Sequence, residues 1–194
     1  MDRDSELALV GRLRAGDPDA FDAVHDCFNT RLFNFLARLS RRREVAEDLV
    51  EETWLRLIAR AAQLQADTRL GPWLFTVARN LYVSYRRSRM LEDSHAVGLF
   101  GLWPSGSAPP SPFDVAVASE AGRRIEAAIG ALPVAYREAV LLVLVEGLRP
   151  AEAAGVCGIS PEAMRQRLSR ARASLASSLN VDEPAFGAAR EVPT

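Results

Sequence analysis

Apolar residues recur along this chain at intervals of three and four, and the strict alternation of a half-buried strand is missing. The pattern predicts a first helix over Ser5 to Ala15, with Ser5 as N-cap and Gly16 as its stop. Asp17 then suits an N-cap and Pro18 a first helical position, where no amide donor is lost. Phe21, Val24 and Phe28 follow at helical spacing, and a further segment runs through Leu32, Phe35, Leu36 and Leu39. A helix from about Glu44 to Ala62 points Val45, Leu49 and Leu57 inward, with Trp54 and Ile58 beside them. A loop from Gln65 to Leu70 leads to Gly71-Pro72, where a new helix starts and runs to about Arg89.

The middle of the chain changes character. Residues 91–118 carry Pro104, Pro109, Pro110 and Pro112 among glycines and serines, and no arginine. No helix runs through SGSAPPSP, so a largely extended or disordered linker is expected. Its apolar fragment Val97 to Trp103 either packs on a domain or docks on a partner. Helices resume at about Ser119–Ile129, Pro133–Glu146, Pro150–Val156 and Pro161–Leu179, before a tail expected to fray. The fold class is therefore all-α: two small helical domains, 1–90 and 119–180, a linker at 91–118 and a tail at 181–194.

Composition adds few constraints. Of 194 residues 48% are hydrophobic and 25% charged, enough to bury a core. No apolar run reaches the roughly 20 residues of a membrane span, and the charged N-terminus does not resemble a secretory signal, so a cytoplasmic location without membrane contact is expected. Charge is more informative by segment than in total. The net charge is −1, yet Trp73 to Arg89 and Ala163 to Val181 contain arginines and no acid. Glu44, Glu47, Asp48, Glu51 and Glu52 crowd one short stretch instead. Such patches set the field that a partner feels. Cys27 and Cys157 have no metal-ligand spacing and read as buried free thiols. His25 and His95 are isolated, and no nucleophile, phosphate loop or metal constellation stands out, so neither enzymatic activity nor a cofactor is expected.

The segment from Arg149 to Arg172 carries the most specific local signal. A short helix opens at Pro150 and stops at Gly158, Ile159 plugs the angle, and Ser160-Pro161 start the next helix. This is the pattern of a helix-turn-helix whose second helix enters the major groove. On that helix Met164, Leu168, Ala171 and Leu175 form the buried stripe. Glu162, Arg165 and Gln166 are the base-reading candidates, because arginine pairs bidentately with guanine and glutamine with adenine. Arg167, Arg170 and Arg172, with Ser169 on the same exposed side, suit phosphates. A solvated arginine-rich helix is the competing reading, but unrelieved like charge disfavours it unless a polyanion neutralises it.

The runs Glu47-Asp-Leu-Val-Glu-Glu-Thr-Trp-Leu-Arg-Leu57 and Gly71-Pro-Trp-Leu-Phe-Thr-Val-Ala-Arg-Asn-Leu81 resemble the second conserved domain of extracytoplasmic-function sigma factors. Leu132-Pro, the stretch from Tyr136 to Leu148 and the helix-turn-helix resemble the fourth. The resemblance implies a sigma factor that lends promoter specificity to core RNA polymerase, reading −10 and −35 elements. It implies that Glu44, Asp48, Glu51 and Glu52 dock on the clamp helices of the polymerase's largest subunit, with a further contact to the flap of the second-largest. It also implies that the helix from Pro72 reads and melts the −10 element through Trp73, Thr76, Arg79, Asn80, Tyr82, Tyr85, Arg86 and Arg87. Physically, rings among arginines suit unpaired bases, which stack on the rings while the cations hold the backbone. Trp73 also reads as a core residue, and Tyr82 and Tyr85 read equally as core or as base-facing. An anti-sigma factor is an expected partner. Glu51 stands where the family usually has Gln, and Ser84, Ala163 and Gln166 also depart from it, so no relative's promoter sequence transfers. The alternatives are a stand-alone helix-turn-helix regulator, which leaves the acidic helix unexplained, and a sigma mimic that sequesters an anti-sigma factor.

Overall fold

The computed structural model describes residues 3–96 and 119–181, all of them helix or connecting turn, with no strand among the described residues. The N-terminal half contains α1 (Arg3–Arg14), α2 (Pro18–Ser40), α3 (Arg43–Arg60) with a 3-10 turn at Ala61–Gln63, and α4 (Leu70–Ala96). The C-terminal half contains α5 (Glu120–Ala131), α6 (Val134–Val140) running into a π turn at Leu141–Val145, α7 (Pro150–Cys157) and α8 (Pro161–Val181).

Local chemistry fixes the ends. Asp17 accepts from the Asp19 amide at 3.0 Å, Ser119 from Gly122 at 3.1 Å and Ser160 from Ala163 at 3.1 Å, each satisfying an amide that the first turn leaves without a partner. Gly158 ends α7 at φ 64°, the left-handed conformation that glycine adopts without strain. The start of α4 is capped across the fold: Glu6 of α1 accepts from the Leu70 amide at 2.9 Å and pairs with Arg69 at 3.1 Å. A carboxylate there also meets the positive end of the α4 dipole.

Around α2 the first core assembles. Leu32, Phe35, Leu36 and Leu39 are buried, and Phe35 meets Phe75 of α4 edge-on at 5.3 Å between ring centres. Trp54 is buried between α2 and α3, its indole N–H donating to Asn29 Oδ1 at 2.9 Å. Leu141, Leu142, Ala153, Met164, Leu168 and Ala171 fill the second core. The two cores are continuous, because α4 packs on α7 and α2 on α6.

Several sequence expectations need correction. The first helix already includes Arg3, so Ser5 lies inside it and is not its N-cap. The two segments expected between Pro18 and Leu39 are one helix of 23 residues, since no glycine or proline interrupts them. The helix expected to end near Arg89 continues to Ala96, so residues 91–96 are helical rather than linker; the next breaker is Gly98. Ile58 is 58% exposed, because the apolar stripe of α3 turns away at its C-terminal end. Cys27 is exposed on α2, while Cys157 is buried. Leu175 is half-buried, at the open end of its stripe. The fragment 97–103, the proline-rich stretch to 118 and the tail beyond 181 lie outside the described residues.

Two outcomes are expected from this packing. Phe35→Ala removes a fully buried ring and lowers the unfolding free energy by about 3–5 kcal/mol, measurable by chemical denaturation. Burial pushes the Cys157 thiol up to about 11, so at pH 8 its thiolate is about one part in a thousand. A disulfide-exchange reagent therefore titrates one thiol, Cys27, in the folded chain and both only after denaturation.

Candidate nucleic-acid and protein interfaces

The helix-turn-helix forms as its sequence directs. Met164, Leu168 and Ala171 seat α8 on the core, and Ile159 sits half-buried in the turn. Glu162, Arg165, Gln166, Ser169, Arg170 and Arg172 are all exposed, and Arg167 is half-buried. Arg165 pairs with Glu162 one turn earlier, which holds the guanidinium over the first turn, where a recognition helix meets base edges.

Helix α4 distributes its candidates over two faces. Trp73, Thr76, Asn80 and Arg87 fall on one side, spaced by three, four and seven residues, and this side is open: Asn80 and Arg87 are exposed, Trp73 and Thr76 half-buried. The Thr76 hydroxyl donates to the Pro72 carbonyl at 2.7 Å. Arg79 and Arg86 face the C-terminal half instead. Tyr82 is buried and its hydroxyl donates to the Leu39 carbonyl at 3.1 Å, while burial pushes its phenol up from the ordinary value. It is a core residue in this arrangement, not a platform for bases. Tyr85 is half-buried, its hydroxyl accepting from Arg42 at 3.3 Å. Arg86 lies 6.0 Å above the Tyr82 ring.

On α3 the acidic residues do form a face. Glu44, Asp48 and Glu51 are exposed at a spacing of four and three; Glu52 is partly covered and pairs with Arg56 at 2.9 Å. The same stripe continues through Leu55 and Ile58, which are 52% and 58% exposed. A carboxylate row thus runs into an apolar one on the same side of the helix, beside a groove of about 510 Å³ between α2 and α3 lined by His25, Phe33, Trp54 and Leu55. Leu55 was readable from the sequence through the 44-48-51-55-58 spacing, but among the nine apolar positions of α3 nothing marked it and Ile58 as the large ones left uncovered.

The residue that the sequence did not flag is Glu138. It is 3% exposed, sits in α6, and pairs with Arg79 of α4 at 3.1 Å and with Arg167 of α8 at 4.0 Å. One carboxylate therefore joins the two arginine helices. Beside it, Arg137 is 6% exposed and donates to the carbonyls of Arg38 and Leu39 at the end of α2 (3.4 and 3.3 Å) and to Ile129, Gly130 and Leu132 at the end of α5. Among the described residues no group of His, Cys, Asp and Glu is placed to hold a metal ion, and no helix is long and apolar enough to cross a membrane.

Two family models match the chain: Sigma-70 region 2 over residues 24–91 and Sigma-70 region 4 over residues 122–175. The chain is 34% identical to the ECF RNA polymerase sigma factor EcfG of Rhodopseudomonas palustris, over 93% of its own length and 86% of that protein's. It is 35% identical to the RNA polymerase sigma factor CarQ of Myxococcus xanthus, over 82% and 88%. Its structure is similar to that of the sigma factor RpoE solved in complex with the anti-sigma factor NepR from Bartonella quintana, with a TM-score of 0.67, 28% identity, and coverage of 84% of this chain and 98% of that one.

The two faces of α4 separate in their response to substitution. Tyr82→Phe loses a buried hydroxyl bond and is expected to lower stability by about 1 kcal/mol. Asn80→Ala, on the open face, stays within about 0.5 kcal/mol of wild type. Thermal unfolding of the two variants side by side measures the difference.

Proposed function

The chain belongs to the extracytoplasmic-function RNA polymerase sigma factors, and from that membership we propose how its residues divide the work. It directs promoter-specific transcription initiation. Three surfaces carry it: a face on α3 for the polymerase, the open face of α4 for the −10 element and α8 for the −35 element. The observation that carries the assignment is charge separation on exposed faces: carboxylates without arginine along Glu44, Asp48 and Glu51, arginines without acid along α4 as far as Arg89 and along α8 beyond Glu162.

At the polymerase, Glu44, Asp48, Glu51 and, more marginally, Glu52 meet a basic surface on the clamp helices of the largest subunit. Leu55 and Ile58 add the apolar centre that a stable contact needs, since a rim of charge steers association more than it holds it. The C-terminal domain contacts the flap of the second-largest subunit. At the −10 element, Trp73, Thr76 and Asn80 offer a ring and polar groups to unpaired bases, and Arg79, Arg86 and Arg87, with Tyr85 beside them, hold the strand's backbone. Capture of flipped bases offsets the few kcal/mol of stacking lost on melting. At the −35 element, Arg165 and Gln166 read guanine and adenine edges, Glu162 orients Arg165, and Arg167, Ser169, Arg170 and Arg172 fix the register on phosphates.

The domain limits follow: a polymerase-binding and −10 domain to about residue 90, a tether, and a −35 domain over about 119–180. The chain performs no chemistry of its own; the polymerase does. It acts in the cytoplasm, where the polymerase is, and an anti-sigma factor partners it as NepR partners RpoE.

Run-off transcription with core enzyme tests the assignment. Wild type is expected to initiate on a subset of promoters in a genomic pool, and no activity on any of them sinks it. The double variant Arg165→Ala, Gln166→Ala should lose about 10-fold or more at matching −35 sequences and little elsewhere, each lost base contact being worth about 1–3 kcal/mol. Glu51→Arg with Leu55→Ala should weaken binding to core enzyme at least 10-fold in a pull-down titration while leaving helicity unchanged.

A further inference from the structure

The turn between α2 and α3 carries charge that none of the surfaces above uses. Arg41, Arg42 and Arg43 follow one another there, and all three are exposed. Arg43 is engaged: it pairs with Glu47 at 2.7 Å and lies 5.7 Å from the Phe33 ring centre. Among the described residues neither Arg41 nor Arg42 forms an ion pair. A cation at the end of α2 suits the helix dipole, but Arg38 in its last turn already fills that role.

Arg41 is also held against its backbone preference. At φ 58° and ψ 23° it is the one non-glycine residue with positive φ among the described residues. Its amide closes α2 by donating to the Ala37 carbonyl at 2.8 Å, a bond that glycine makes in this conformation without crowding. The turn is braced as well. Ser40 Oγ accepts from the Arg42 amide at 3.2 Å and donates to the Arg42 carbonyl at 2.9 Å. A strained, braced turn whose side chains point to solvent presents those side chains to something outside the chain.

That turn abuts the helix assigned to the −10 element. Arg42 Nη1 donates to the Tyr85 hydroxyl at 3.3 Å. Burial pushes the Arg137 guanidinium down from its usual value, and the nearby charges of Arg41 and Arg86 push it further. Arg41, Arg42 and Arg86 thus converge on one edge, none of them in an ion pair among the described residues. Like charges gathered in this way repel one another until an anion joins them. Tyr85 lies about 7.5 Å along α4 from Asn80, at about 1.5 Å per residue, beyond the groups offered to unpaired bases. The turn itself offers guanidinium groups and no free ring or amide side chain, so it suits phosphates and not base edges.

We propose that Arg41 and Arg42 form a phosphate clasp for the double-stranded DNA that flanks the melted −10 bases. The inference rests on the assignment of α4 to the −10 element. Duplex is favoured over single strand because it carries one charge per about 1.7 Å of axis, twice the density of one strand. The clasp adds affinity without sequence preference and fixes where the paired flank leaves α4.

The salt dependence of promoter binding by the holoenzyme tests the clasp. Each phosphate contact contributes about 0.9 to the slope of log K against log salt, so the double variant Arg41→Gln, Arg42→Gln should have a slope shallower by about 1.8. Between about 50 and 200 mM KCl its affinity should therefore fall about 12-fold less than that of wild type. The rank order of promoters should not change. On a single-stranded −10 oligonucleotide the two proteins should share one slope. Arg43→Gln, whose guanidinium is already taken by Glu47, should behave as wild type. Arg41→Gly relieves the backbone, so its thermal midpoint should be no lower than wild type's while its slope still falls by about 0.9, a combination that a merely structural arginine does not give. Unchanged slopes in the folded variants overturn the clasp. So does an equal loss at Arg43→Gln, which reports net charge, or an equal loss on the single-stranded oligonucleotide. Unchanged slopes with weakened retention on immobilised polyglutamate overturn it in favour of an acidic protein partner. A wild-type holoenzyme that does not prefer a promoter to an unrelated duplex of equal length is a different failure: the −10 assignment falls, and the clasp with it.

Discussion

Two neighbouring buried charges on α6 organise the molecule. Arg137 spends its guanidinium on backbone carbonyls at the ends of α2 and α5, and Glu138 takes an arginine from each reading helix. Moving either charge from water into the interior costs several kcal/mol unless its hydrogen bonds are replaced. The replacement is specific in direction and distance, so it sets where α6 lies against α2, α4 and α8. Apolar contact alone would tolerate sliding, since leucine packs on leucine in many registers. The polar pair removes that freedom.

The consequence for α4 is a division of labour by angle. One face is core, through Leu74, Phe75, Ala78 and Tyr82; a second turns toward α6; a third, from Trp73 through Asn80 to Arg87, stays open. A helix bearing arginines and aromatic rings therefore does not present all of them to one partner. Tyr82 shows why ring chemistry is a weak guide by itself. Its ring lies where the apolar stripe needs volume, and its hydroxyl finds the Leu39 carbonyl. The surface of α3 is divided lengthwise instead: acid at the start, where it suits the helix dipole, and uncovered leucine and isoleucine at the end.

The contact between halves differs from the contact within them. Inside each half, helices meet through leucine, phenylalanine and alanine, and substitution leaves a cavity. Between the halves, apolar contact is supplemented by arginine–glutamate pairs at intermediate exposure. Exposed pairs of that kind contribute little, whereas removing one partner of a covered pair strands a buried charge, so the covered glutamates depend on their arginines.

Much of this was legible in the residues themselves. The helix-turn-helix follows from Pro150, Gly158 and Ser160-Pro161, whose backbone chemistry is local and needs no partner. The heptad-like spacing of Met164, Leu168 and Ala171 settled which side of α8 is buried, and the crowding of Glu44, Asp48 and Glu51 on one face follows from helical geometry. Period alone did not settle where that apolar stripe ends. Ile58 continues the pattern yet is exposed, because burial depends on whether another helix lies opposite. Likewise Cys27 and Cys157 are the same residue in similar helices, and only the neighbours make one exposed and the other buried. The sequence by itself determined the helices, their caps and the sign of charge on each face, because these depend on residues within a few positions of one another. Only the tertiary structure decided that Glu138 reaches Arg79, that Arg38 meets Glu126 and that Tyr82 is core, because those partners lie 59, 88 and 43 residues apart and are brought together by packing.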